Sequence, residues 1–376
     1  MKKKILILTS TRADYGLMKK LILLMKKQKS FLTKLMATGT HFNKNFGNTY
    51  QEIVKDKIKI DFKVKVKISG DSDWHASNYF SKQAEKVNYI LSHKFKPDLI
   101  ILLGDRFEIL SVASICNIYN IPICHLHGGE TTKGSNDDKI RHAISKLSSL
   151  HFVSHHNYRK KLIQMGEDPN YIFNFGALGL NNINSFKLKK REVQNKLKIS
   201  FDKKIFILTF HPETLNKTTY ITLTNLFKVL KKFKKINFIF TCPNMDVDHK
   251  KIIFEIKKFV RENKNSYYFE SLGKNLYFNL LRYVDGVIGN SSSGIIEVPS
   301  FNIPTINIGN RQKGRLQSKT IFNSDNKSEN IYKLINKIVN KKIKFKGNNN
   351  IYFKKFTEEK IIKIIKKINL KKINKI

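Results

Sequence analysis

Apolar residues along the chain fall into short continuous runs separated by longer amphipathic stretches. In the first half the runs are KILILT (4–9), FLTKLMAT (31–38), DLIILLG (98–104), IPICHLH (121–127), LHFVS (150–154) and YIFNFGA (171–177). Runs of this length and composition predict strands buried on both faces. Helical periodicity fills the intervals at 15–28, 81–94, 106–119, 138–149 and 155–166. The second half repeats the scheme, with strands expected at 204–211, 237–242, 267–271, 286–290 and 304–309. Its helices are expected at 218–233, 246–263, 275–283, 293–300 and 326–340. Strands that alternate with helices predict parallel sheets covered on both faces. The fold class is therefore α/β, with two doubly wound domains. GALGLNNINS (176–185) reads as the linker, giving an N-terminal domain over 1–178 and a C-terminal domain over 179–355. Residues 356–376 would form a last helix (357–368), docking back on the first domain, and a basic tail. A cleft between the domains is expected, and ligands in such folds sit beyond the carboxyl ends of the strands.

The composition narrows the class. At 376 residues and 41% hydrophobic, the chain is long enough for two packed cores. Its net charge of +42 invites a nucleic-acid reading. Lysine is spread over the whole length, however, and no RNP motif, zinc-finger spacing or aromatic-basic interleaving accompanies it. No nucleic-acid partner is expected, and an anionic small substrate makes better use of the charge. The opening MKKKILILTS has too short an apolar run for a signal peptide. No segment approaches the ~18–20 apolar residues of a membrane span, so no membrane partner is expected. Cys116, Cys124 and Cys242 form no CxxC pair, which fits reduced thiols in a cytoplasmic protein.

Polar clusters follow five of the predicted strands: TSTRADYG (9–16), DRFE (105–108), GGETTKGSNDD (128–138), HPET (211–214) and NSSSG (290–294). Any one of these could be a cap or a turn, but five at strand ends across two domains point to a site. GNSSSG opens a helix with hydroxyls and backbone N–H groups, which suits a phosphate. Its spacing is neither a nucleophile elbow nor a Walker loop. Arg311, Lys313 and Arg315 of GNRQKGR lie near it in sequence. Arg12 stands at the turn into the first helix, and Asp14 there is either a functional acid or a first-turn acid serving the helix dipole.

HLHGGETTKGSNDDKIRH (125–142) supports three chemistries. On a strand, His125 and His127 would point the same way and could chelate. No HExxH or Cys/His framework backs a metal, and none is expected. Glu130 would repel a phosphate. An acid/base wall remains, with Gly128 and Gly129 allowing the loop to approach a ligand closely.

These motifs carry a family resemblance. TRADYG, ATGTHFNKNFGNT, LLGDRFE, HLHGGE, DDKIRHAISKLSSLHF, FHPET and GNSSSGIIEVPSF…INIGNRQKGR come in one order over nearly the whole chain, most weakly after about residue 325. In this the chain resembles the hydrolysing UDP-N-acetylglucosamine 2-epimerases of bacterial sialic-acid synthesis. The resemblance implies a GT-B-like fold of two Rossmann-type domains with the nucleotide sugar between them. It implies elimination of UDP, hydration of a glycal with inversion at C2, and release of N-acetylmannosamine and UDP. No cofactor is implied, and the GxGxxG fingerprint for NAD is missing after the first strand. A homodimer or homotetramer is implied as well.

By the same resemblance Arg12, Arg106, Asn244, Ser291, Ser292, Glu297 and Arg311 match nucleotide-contacting positions, with Leu272 contacting the base through its backbone. Arg141 and His142 are expected at the substrate, and His211 matches both a nucleotide-contacting and a catalytic position. Asp105, Asp137 and the neighbouring Asp138 match catalytic acids. Several relatives carry Glu in HIEGG where this chain has His127, so that role passes to His127 itself or to Glu130. An imidazole with an ordinary pKa of about 6.5 suits either direction of proton transfer. Asp105 is the expected C2 base, with His127 or Asp137 handling water. The same motifs fit epimerases of UDP- or GDP-linked N,N'-diacetylbacillosamine in legionaminic-acid synthesis, with SGDSDWHASNYF (69–80) near the sugar or a mobile loop. A GT-B glycosyltransferase and a basic nucleic-acid-binding protein are the more distant alternatives.

Overall fold

The computed structural model describes residues 2–43, 47–67, 70, 72–134, 136–213, 218–243, 248–340, 343 and 345–373. The chain forms two compact units. The first comprises 1–130, 137–181 and 352–376; the second comprises 131–136 and 182–351. Each is a doubly wound parallel α/β sheet, and the architecture is GT-B-like, as expected from the sequence.

The first unit has strands β1 (Lys3–Thr9), β2 (Phe31–Ala37), β3 (Phe62–Lys63), β4 (Leu99–Leu103), β5 (Ile123–Leu126), β6 (Leu150–Val153) and β7 (Ile172–Asn174). They are ordered β3-β2-β1-β4-β5-β6-β7, every described pair parallel. Helices α1 (Arg12–Lys26), α2 (Tyr50–Lys55), α3 (Asp73–His93), α4 (Phe107–Ile118), α5 (Asp137–Lys146) and α6 (His156–Gln164) connect them. Side chains of a strand alternate between faces. Ile5 and Ile7 accordingly enter one core, with α1, while Leu6 and Leu8 enter another, with α3 and α4. Helices on both faces explain why KILILT is continuously apolar.

The second unit has α7 (Lys190–Leu197), β8 (Lys204–Thr209), α8 (Thr219–Leu230), β9 (Ile236–Thr241), α9 (His249–Glu262) and β10 (Ser266–Phe269). It continues with α10 (Gly273–Leu281), β11 (Gly286–Gly289), α11 (Ser292–Ile296), β12 (Thr305–Ile308), β13 (Ile321–Ser324) and α12 (Ser328–Asn340). The strand order is β10-β9-β8-β11-β12-β13. In both sheets the order reverses beside the first strand, at β1/β4 and at β8/β11, where such folds bind ligands.

Helix α13 (Thr357–Lys367) belongs to the first unit and buries Ile361, Ile362 and Ile365 in the α1-side core. Its last carbonyls are collected by Lys3, whose Nζ donates to the carbonyls of Ile365 (2.8 Å), Lys366 (2.8 Å) and Ile368 (2.7 Å). An ammonium there serves acceptors that a helix end leaves without intrahelical donors.

The structure corrects several local expectations. α1 begins at Arg12, not at 15, because Thr11 and Asp14 form a capping box. Of the stretch 69–80, one reading of which is a mobile loop, residues 73–80 are helical, and residues 69 and 71 lie outside the described residues. The single helix expected at 293–300 is α11 followed by a 3-10 turn over Val298–Phe301, because Pro299 cannot continue an α-helix. Strands β3 and β13 and helix α7 were not expected. They are short and sit in lysine- or asparagine-rich segments with little apolar contrast.

Candidate functional site

The carboxyl ends of β1, β4 and β5 carry polar networks in the first unit. Asp14 receives the N–H groups of Ser10 (2.8 Å) and Thr11 (3.0 Å) and the hydroxyl of Thr9 (2.6 Å), which fixes the turn leading into Arg12. Thr9 Oγ1 also meets Nε2 of buried His41 (2.9 Å), and His41 Nδ1 meets Thr49 Oγ1 (2.9 Å). With the Thr9 proton given to Asp14, His41 donates from Nε2 and accepts at Nδ1 as a neutral ring. Burial holds its pKa below the usual histidine range, against Asp14. His41 lies in ATGTHF of the family pattern, and its role here comes from its contacts with Thr9 and Thr49, which no local pattern shows. In α2, burial raises the Glu52 carboxyl above its ordinary range, and the Arg12 guanidinium is the largest opposing influence.

Arg106 caps α4, and its Nε is 3.1 Å from Oε1 of fully buried Glu108. Beside it Asp105 pairs with Arg141, which comes from α5 and is only 1% exposed. Arg141 also donates to the Glu130 carbonyl (2.8 Å) and lies 3.5 Å from Asp138. One buried guanidinium thus gathers Asp105, Glu130 and Asp138 from three segments. Asp137 is the first residue of α5, and His142 Nε2 is 3.6 Å from Asp138 Oδ2. Burial lowers the pKa of His142, opposed by Asp138.

The two histidines of HLH do not share a strand face. β5 ends at Leu126, and His127 turns to φ +63°. His125 stays inside, with Nε2 at the Gly104 carbonyl (2.8 Å) and Nδ1 at Ser145 Oγ (3.0 Å). Burial pushes its pKa down to about 3, so it is a neutral structural ring. His127 Nε2 accepts the Leu178 N–H (3.1 Å), and Nδ1 lies 3.6 Å from Glu130 Oε1. That oxygen of Glu130 accepts the buried Ser154 hydroxyl (2.7 Å). Ser154 was missed because LHFVS reads only as a strand end.

The glycine pair also serves the packing of the loop. A Cβ on Gly128 would lie 2.8 Å from His125 Nδ1, and one on Gly129 (φ +74°) would lie 2.7 Å from the Tyr158 carbonyl. Internal packing therefore requires glycine there. Among the described residues no group of three or more His, Cys, Asp or Glu side chains could hold a metal ion. No helix among them is long and apolar enough to cross a membrane.

The second unit gathers its own cluster at the ends of β8, β11 and β12. Asn290, fully buried, accepts the His211 N–H at Oδ1 (2.7 Å) and donates to the His211 carbonyl (2.9 Å). Its own carbonyl receives Gln312 Nε2 (2.9 Å) and faces Arg311 Nη1 (3.5 Å). Ser291 caps α11, accepting the Ser293 N–H, and Ser292 is that helix's first residue. Ser293 Oγ meets the Tyr277 hydroxyl at 2.8 Å. Glu297 lies just past the last α-helical turn rather than inside a longer helix. Burial raises its carboxyl above the ordinary range, against Ser293, Lys274 and Arg315. The Leu272 side chain is buried in the core, which leaves only its backbone for a ligand. Lys133 packs here too, its N–H bonded to the Lys313 carbonyl (2.9 Å). Asn244 lies outside the described residues.

Comparisons with known proteins place the chain in a family. A family model described as UDP-N-acetylglucosamine 2-epimerase matches residues 24–366. The GDP/UDP-N,N'-diacetylbacillosamine 2-epimerase (hydrolyzing) of Campylobacter jejuni is 39% identical, with 86% of this chain and 85% of that protein covered. Polysialic acid biosynthesis protein P7 of Escherichia coli is 36% identical, covering 97% of this chain and 94% of that one. A crystal structure of UDP-GlcNAc 2-epimerase from Neisseria meningitidis, bound to UDP-GlcNAc, superposes with a TM-score of 0.81 at 16% identity. It covers 97% of this chain and 100% of that one, a likeness of fold.

Proposed function

The chain belongs to the UDP-N-acetylglucosamine 2-epimerase family, as a hydrolysing 2-epimerase of nucleotide sugars, and from that premise we propose its substrate and the roles of its residues. The substrate is UDP-N,N'-diacetylbacillosamine, a reading supported by the 39% identity to the Campylobacter jejuni enzyme. UDP-GlcNAc is the second reading, supported by the similarity to the polysialic-acid protein and by the family's description. Either sugar would feed nonulosonic-acid synthesis.

The C2–H of an acetamido sugar is barely acidic, so its removal must be coupled to departure of the leaving group. A base takes the C2 proton, the C1–O bond breaks, and UDP leaves with the electron pair, giving a C1=C2 glycal. Water then adds its hydroxyl to C1 and a proton enters C2 from the opposite face. Cationic groups must meet the developing pyrophosphate charge, and Arg311, Arg12 and Arg106 take that role with Ser291 and Ser292. Glu297 takes the ribose hydroxyls and the Leu272 backbone the base. The observation that carries the reading is the buried Arg141 holding Asp105, Glu130 and Asp138 together. Asp105 is the C2 base, oriented by Arg141. Both ring nitrogens of His127 face protein groups, so Asp137 handles water and the His127–Glu130 pair positions the loop.

Incubation with UDP-diacetylbacillosamine, its GDP analogue and UDP-GlcNAc in D2O tests this. Release of nucleotide with a free, C2-inverted, C2-deuterated sugar is expected, fastest from UDP-diacetylbacillosamine. No nucleotide release from any of the three would sink the reading, and faster turnover of UDP-GlcNAc would select the second substrate.

A further inference from the structure

We infer that Glu213 is a positioning residue for Arg311: its carboxylate clamps the turn after β12 to the end of β8, so that Arg311 meets the nucleotide phosphates. This rests on the nucleotide-sugar reading above. Glu213 follows β8 two residues after His211 and is 6% exposed. Oε1 accepts the Asn310 N–H at 3.0 Å, and Oε2 accepts the Thr218 hydroxyl at 3.2 Å. Its own N–H donates to Thr219 Oγ1 at 3.0 Å. The residue preceding Asn310 is Gly309, at φ +79°, where an added Cβ would lie 2.2 Å from Glu213 Oε1. The carboxylate therefore lies flat on a backbone position that no side chain could share.

The clamped turn carries Arg311. It closes on itself through the Lys313 N–H and Asn310 carbonyl (2.9 Å), and Asn290 holds its other side through Gln312. A buried carboxylate and a buried backbone carbonyl, from neighbouring strand ends, thus fix one arginine-bearing turn. Loss of Glu213 removes one of the two anchors and leaves the Asn310 N–H without its carboxylate. Buried charge-assisted hydrogen bonds of this kind are among the stronger ones.

The inference separates geometry from charge. In Glu213→Gln the side-chain carbonyl can still accept the Asn310 N–H, and the amide can donate to the Thr218 hydroxyl. In Glu213→Ala neither bond survives. For the full chain we expect Glu213→Ala to raise the UDP dissociation constant and KM about tenfold or more, with a smaller change in kcat. Glu213→Gln should stay within about threefold of wild type in both. Gly309→Ala, which puts a methyl where the carboxylate sits, should reproduce the KM effect and decides the matter if Glu213→Ala does not fold. Calorimetric titration with UDP alone gives the readout. Equal damage in Glu213→Gln and Glu213→Ala, or unchanged UDP affinity in folded Glu213→Ala or Gly309→Ala, would overturn the clamp in an otherwise active enzyme. A wild type that binds no UDP would sink the functional reading first, and this one with it.

Discussion

A residue's backbone angle and its nearest partners decide what its side chain can do. Asp105 was legible as a strand-end acid, but its partner Arg141 lies 36 residues away and meets it only through the packing of α5. Asp105→Asn should lower kcat by roughly 10²–10⁴ and leave UDP affinity unchanged; near-normal turnover would remove it as the base. His127 was read as an alternating strand residue, and its left-handed φ cancels that alternation. Asparagine tolerates such a φ. His127→Asn should therefore cost less than about tenfold in kcat, and Asp137→Asn about a hundredfold or more. Equal losses would return proton transfer to His127. His125 gives a pH prediction with a definite sign. Its folded pKa, about 3, lies below the ordinary 6.5 of the unfolded chain, so its stabilising contribution is present above pH 6.5. That contribution is lost as pH falls toward 3. Between pH 7 and 5 this group alone should cost about 2 kcal/mol in urea unfolding. His125→Asn, whose side chain does not titrate, should flatten that slope, and an unchanged slope would contradict the assignment.

At the scale of elements, apolar periodicity marks a strand or helix that is long and faces a core. β1, β4 and β8 satisfied that condition and were legible. β3, with two residues, and α7, in KREVQNKL, were not, because charged residues mask their few buried positions. The docking of α13 depends on a side chain at the other end of the chain. Lys3→Met keeps the apolar stem but removes three hydrogen bonds to the helix's final carbonyls. It should destabilise the first unit by ~1 kcal/mol and speed amide exchange in the last turn of α13. Unchanged exchange there would mean that the packing of Ile361 and Ile365 suffices.

For the whole molecule, the formal charge of +42 bears on stability. Like charges over a compact body repel, and salt screens them. The Tm should rise between about 20 and 300 mM sodium chloride, a range over which the screening length falls from roughly 20 Å to below 10 Å. A Tm that falls with salt would show that the described ion pairs outweigh the repulsion.

The sequence by itself determined the fold class, because two-face burial writes continuous apolar runs and the intervening helices write their own period. It also placed the polar clusters at the strand ends, because parallel sheets put their loops there. Tertiary structure alone decided which polar residues act together. Arg141 reaches Asp105, Asn290 and Glu213 brace the Arg311 turn, and His127 commits a nitrogen to Leu178, all through side-chain directions and separations that no local pattern encodes. A period reports which face a residue occupies; a hydrogen bond between distant segments depends on how those faces are packed.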